Sequence, residues 1–276
     1  MVISPVKLVI LPIAGFLVGI PIILLTQPWT DALGVAYSPT RTAVLFGFAF
    51  TAFLAWALYW LIVYSQHPDW LVPPDKYSPG MKVRIFSTWT WVSIGITAAA
   101  FIAGAVVGAP TKLDLPGFVI AAVASNFGSI IAFFGMYLGE LIAYGPLAAS
   151  TGTFVYPGIE IIADSLLDAS IWAYAGFLFF WMRRTNAYKR SKILGILLAM
   201  ALFEPIHYGY WYIYWFIMNP WSSFVPVAVA NLAGWVFLPW GPAPLLVFIG
   251  ALVGDRIYSF RAARVTRKAP PKTGQK

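Results

Sequence analysis

The sequence predicts an all-α integral membrane protein, a bundle of about eight transmembrane helices, and three observations carry that expectation. Of 276 residues, 60% are hydrophobic and only 10% are charged, whereas a soluble domain carries roughly a quarter of its residues as charges. Mean hydropathy is +0.78, and apolar runs of about 18 residues or more recur along the whole length. In hydrocarbon each backbone N–H must be bonded within its own segment, so continuous apolar runs must be helical. A transmembrane β-barrel would instead show alternating segments of about ten residues, and none is present.

Taken in order, the expected spans are Leu8–Thr26, Val44–Tyr64, Thr88–Ala109, Leu115–Phe127, Ser129–Ala148, Gly158–Met182, Ile193–Met218 and Val225–Gly254. The first follows Lys7 and has no A-x-A cleavage site, so it reads as a retained signal-anchor. The Pro-rich polar stretch Gln66–Gly80 is the clearest boundary. It divides the chain into an N-terminal two-span hairpin (1–65), a linker (66–83), a six-span module (84–260) and a basic tail (261–276). The last span contains Pro239-Trp240-Gly241-Pro242, and a broken helix is expected there.

The chain carries a net charge of +8, and the charge is clustered. Five basic residues fall in Arg183–Lys192 and seven follow Asp255. These clusters flank apolar spans, so they read as topology signals and not as a nucleic-acid surface. If Arg183–Lys192 is cytoplasmic, then Gln66–Arg84, the Phe127-Gly128-Ser129 turn and the tail are also inside, whereas Pro110–Asp114 and Ser150–Tyr156 are outside. Both termini are then cytoplasmic, in a multi-pass protein of the cell membrane.

Enzyme signatures are lacking. The sequence has no cysteine, hence no disulfide, thiolate or Cys-ligated metal. No G-x-x-x-x-G-K-[ST], H-E-x-x-H or G-x-S-x-G motif occurs. The pair Glu204/His207 is half of a carboxylate-bridged di-metal motif, and the other histidine, His67, falls in a loop assigned to the opposite side. The expectation is therefore a non-enzyme without cofactor or metal.

What does attract attention is acid inside apolar spans. A charge near the bilayer midplane costs about 2.5–3.5 kcal/mol on insertion scales. Glu160, Asp164 and Asp168 recur every fourth residue and so share one helical face. Adjacent carboxylates repel unless one is protonated or a cation sits among them. Glu140 lies in the fifth span, and Glu204, Pro205 and His207 lie near the middle of the seventh. By the expected topology, His207, Tyr208, Tyr210, Trp211, Tyr212, Tyr214 and Trp215 climb towards the outer surface, and Asn231 lies in the outer part of the last span. Acid, imidazole, amide and aromatic groups then converge in the outer half of the bilayer, as in a ligand pocket. Plainer readings of the same residues are an interfacial aromatic belt, a local Glu204–His207 bond and a proline kink at Pro205.

From about Lys82 to Arg264 the chain resembles the substrate-binding S components of energy-coupling factor (ECF) vitamin transporters. The resemblance rests on small residues at spacing four (Gly95, Ala99, Ala103), on Leu115-Pro-Gly-Phe-Val119 before a short helix, and on the Phe127-Gly128-Ser129 turn. It continues with Gly139-Glu140, Tyr156-Pro-Gly-Ile-Glu160, the basic loop after Met182, and Asn231. Ser129 stands where the family has Pro, Glu140 where it has Asp, and the N-terminal hairpin is additional.

The resemblance implies an externally open vitamin site and a motor on other chains, a transmembrane coupling subunit with cytoplasmic ATPases. It implies that Gly95, Ala99 and Ala103 meet the coupling subunit. It also implies that Glu160, His207 and Asn231 contact a cationic heterocycle such as thiamine, with Trp211 or Trp215 stacked on a ring. Two other classes compete: an accessory subunit of a respiratory or oxidative membrane complex, and a membrane-embedded metal enzyme using the same acids.

Overall fold

A computed structural model describes residues 39–71, 73–76, 87–111, 113–147, 160–218 and 243–268. The expected first span, the segment 148–159, Asn231 and the Pro239–Pro242 interruption lie outside the described residues, as do the side chains of Trp211 and Trp215.

All regular structure among the described residues is helical. The helices are α1 (Pro39–Gln66), α2 (Thr88–Thr111), α3 (Leu115–Phe127), α4 (Ser129–Ile142), α5 (Glu160–Met182), α6 (Asn186–Arg190), α7 (Lys192–Met218) and α8 (Ala243–Lys268). Four of them, α1, α2, α4 with its extension to Leu147, and α5, are long and apolar enough to cross a membrane. The chain is therefore a multi-pass helical membrane protein. At 13 residues, α3 is about 20 Å long and falls short of the roughly 30 Å hydrocarbon core.

Local chemistry sets the helix ends. Asp114 caps α3, accepting the Gly117 N–H at 2.9 Å, with Pro116 in the first turn, where its missing N–H is harmless. Gly128 alone separates α3 from α4 at φ 88°, ψ −175°, a region open essentially to glycine. A Cβ there would also come within 3.2 Å of the Leu71 carbonyl oxygen. Past Ile142, α4 widens into a π turn, Ala143–Leu147, that contains Pro146. α7 runs unbroken through Pro205. α8 starts directly after Pro242 and continues past Gly254, the expected end of the span, to Lys268.

α5 is the central helix, packed by α1, α3, α4 and α7, and nearly all its residues are buried. Between helices already in lipid, association rests on close packing rather than on removal from water. The contacts show how that closeness is reached. Trp56 of α1 stacks on Phe133 of α4 at 4.2 Å and 4°. α8 meets α3 through Gly250 and Gly254, where an added Cβ would collide with the carbonyl oxygens of Phe118 and Ala122.

One end of this bundle is basic. Arg183 Nε donates to Asp255 Oδ1 at 2.8 Å, with both side chains buried. Arg183 also donates to the Ser125 carbonyl oxygen, and its guanidinium lies 3.7 Å from the Tyr258 ring centroid. Tyr188 donates to Asp255 at 2.8 Å, and burial together with that bond pushes its hydroxyl above the ordinary tyrosine range. Arg184 pairs with Asp69, and Arg261 holds Asp75 through two bonds of 2.7 and 3.0 Å. The loop after α1, the α3–α4 turn, the Arg183–Lys192 loop and the end of α8 thus meet at one end. These are the segments that the charge pattern assigns to one side of the membrane.

Candidate functional site

The opposite end is acidic. Glu160, Asp164 and Asp168 lie on successive turns of α5, and a helix rise of 1.5 Å per residue spreads them over about 12 Å. None is more than 7% exposed. Asp164 and Asp168 therefore lie inside the bundle, neither in lipid nor in open water, and Glu160 begins the helix, where its charge suits the dipole.

The neighbouring helices bring further acid to the row. Glu140 of α4 is 2% exposed and lies within electrostatic reach of Asp164 and Asp168. Tyr144, one turn on in the π segment, interacts with Glu140, Asp164, Asp168 and Asp114. From α7, His207 Nδ1 lies 3.3 Å from Glu204 Oε2, a long bond. The imidazole also interacts with Asp168 and Asp114. Its ring is parallel to Phe203 (5.3 Å, 12°) and edge-on to Trp172 (5.2 Å, 61°).

Asp114, Glu140, Asp164, Asp168, Glu204 and the His207 imidazole therefore share a low-dielectric region built from the α3 cap, α4, α5 and α7, with Glu160 at the end of the α5 row. Every Lys and Arg whose side chain is described belongs to the basic end. Lys112 and Arg41 lie outside the described side chains. Burial pushes the Asp114 carboxyl above the usual carboxylate range, and the Gly117 N–H bond opposes that rise.

Chemically, such a region takes up protons or a cation. Among the described residues no group of three or more His, Asp or Glu is placed to hold one metal ion. The acids are distributed along the row and flanked by aromatic faces. A ring face beside such a row can add about 0.5–2 kcal/mol to the binding of a cation.

The sequence-derived residues divide accordingly. Glu140, Asp164, Asp168, Glu204 and His207 are brought together, and Glu160 continues the same row. Tyr210 turns away from them. It stacks on Phe48 at 5.4 Å and, with Tyr59 and Tyr174, lines a separate cavity of about 20 Å³ between α1, α5 and α7, room for about one water. Gly95, Ala99 and Ala103 lie exposed along α2, with open space where a Gly95 Cβ would stand. Asn231, and the Trp211 and Trp215 side chains, lie outside the described residues.

Sequence reasoning missed Asp114, Tyr144 and Trp172 as members of this site. Trp172 was accessible, because it extends the row Glu160, Asp164, Asp168 by one more step of four. Asp114 announces itself as a helix cap in Asp-Leu-Pro-Gly, but no local signal places that cap beside α7.

No family model, no curated protein and no solved structure matches this chain.

Proposed function

We propose that this protein is a membrane substrate-binding subunit that holds a small organic cation among the acids of its acidic end. Uptake would be powered by coupling and ATPase subunits on other chains. The observation that carries this reading is the convergence of Glu140, Asp164 and Asp168 with Asp114, Glu204 and His207, while each described Lys and Arg is at the far end. Such a concentration of like charge inside a bundle favours the binding of a cation, and the aromatic faces beside it favour an organic one.

The finer assignment, an S component of an energy-coupling factor vitamin transporter with thiamine as the first ligand to try, rests on the sequence resemblance. The exposed Gly95/Ala99/Ala103 stripe is compatible with a closely approaching partner helix.

Ligand-dependent thermal shift tests the proposal, using thiamine and a panel of small cationic heterocycles on the detergent-solubilised protein. A hit for wild type that is lost in Glu160→Gln and in His207→Ala supports a binding subunit. Shifts that are identical in wild type and both variants would exclude this site. No shift with any cation, together with stably co-purifying membrane chains, would favour an accessory subunit instead.

A further inference from the structure

The outward face of α8 changes character along its length. Leu245, Ile249 and Val253 are exposed on one side of the helix, and the same side continues as Arg256, Phe260 and Arg264, all exposed. Steps of three and four keep these residues on one face. Phe260 is 57% exposed, and the Arg264 guanidinium lies 4.3 Å from its ring centroid. Beside this face, Lys192 at the start of α7 donates to Ser259 at 2.9 Å. The exposed side chains of Ile193, Leu194 and Leu197 continue along α7 from there. Both helices therefore present an apolar outer surface that terminates in cations.

Charge accounting at this end points to something external. Its three carboxylates are each engaged by arginine: Asp255 by Arg183, Asp69 by Arg184, and Asp75 by Arg261. Among the described residues Lys189, Arg190, Lys192, Arg256 and Arg264 have no carboxylate partner. Of these, Arg256, Arg264 and Lys192 border the apolar face of α8, and cations beside an apolar face call for an anion with an apolar body.

We propose that the outer face of α8, with the start of α7, binds an anionic phospholipid. Arg256 and Arg264 take the phosphate, Lys192 flanks it, and an acyl chain lies along Leu245, Ile249 and Val253. An acidic patch on a water-soluble protein would match the charge but would leave Phe260 and the apolar stripe uncovered. A lipid matches both, because basic residues at this level attract anionic headgroups and aromatic rings settle at the interface.

The test is native mass spectrometry of the delipidated full-length chain in neutral detergent, titrated separately with phosphatidylglycerol and phosphatidylcholine, with inorganic phosphate as competitor. Phosphatidylglycerol is expected to bind roughly tenfold more tightly than phosphatidylcholine and to resist millimolar phosphate. Each of Arg256→Gln and Arg264→Gln should weaken it roughly fivefold, and the double variant roughly 25-fold, if each charge contributes on the scale known for basic residues at membrane surfaces. Lys189→Gln/Arg190→Gln, which removes equal charge from α6 and none from α8, should leave the preference intact. Equal binding of the two lipids would overturn the proposal. So would displacement by phosphate, or an equal loss in the Lys189/Arg190 variant. The substituted positions are exposed, and unfolding transitions within a degree or two of wild type confirm that the variants fold.

Discussion

The two ends of this bundle treat carboxylates in opposite ways. At the basic end every described carboxylate meets a guanidinium: Asp255 with Arg183, Asp69 with Arg184, Asp75 with Arg261. At the acidic end Glu140 lies within electrostatic reach of Asp164 and Asp168, and His207 within reach of Asp168. The first arrangement is complete within the chain and ties two connecting segments and α8 together. The second gathers like charge, which a proton or a cation would offset. The contrast suggests different roles for charge in a membrane bundle: ion pairs tie the connecting segments to the helices, whereas accumulated like charge makes a candidate ligand site.

The contrast can be broken most forcefully at Arg183. Arg183→Ala strands a buried carboxylate, and the expected loss is about 3–5 kcal/mol of stability, read as a lower unfolding midpoint of the solubilised protein. Asp255→Asn in the same background should recover part of it. No loss in Arg183→Ala would mean that the basic end is not held by this pair.

At the acidic end the same kind of change should act in the opposite direction. Glu140→Gln keeps the shape and removes one charge from the row. Without ligand, its stability should match wild type or exceed it, by on the order of 1 kcal/mol, the equivalent of about one decade in proton binding. A loss of several kcal/mol would show Glu140 to be internally satisfied, and the two ends would then not differ in kind.

The smallest effect is a pH dependence at Asp114. Burial raises this carboxyl in the folded protein, so folding favours its protonated form. Its contribution to stability is full below the ordinary carboxylate value and is lost as pH rises through the raised folded one. Asp114→Asn retains a helix-capping side chain and cannot ionise. Calorimetry across that interval should show the variant gaining on wild type as pH rises. Parallel curves would contradict the burial argument.

Much of the acidic row was legible because helix geometry is local. Glu160, Asp164 and Asp168 are four apart, and only one face of α5 can carry them. The ends of α3 were also legible, from Asp114-Leu-Pro-Gly before it and the single Gly128 after it. Charge clustering grouped the segments that now meet at the basic end.

What stayed hidden is the choice of partner face, which no periodicity encodes. Arg183 finds Asp255 from 72 residues away, and His207 lies near Asp114 through tertiary packing alone. α8 outruns its expected end at Gly254 because the last turns are amphipathic: Arg261 turns inward to Asp75 while Arg256 and Arg264 face out. A hydropathy reading stops where the charges begin, although the helix continues.

Whether the acidic end holds an organic cation is answered most directly by native mass spectrometry of the freshly purified protein, with metal analysis of the same preparation. The account predicts a co-purifying organic cation of vitamin size, absent from Glu160→Gln, and no stoichiometric metal. Stoichiometric metal without an organic ligand would contradict it and assign the carboxylates and His207 to metal chemistry.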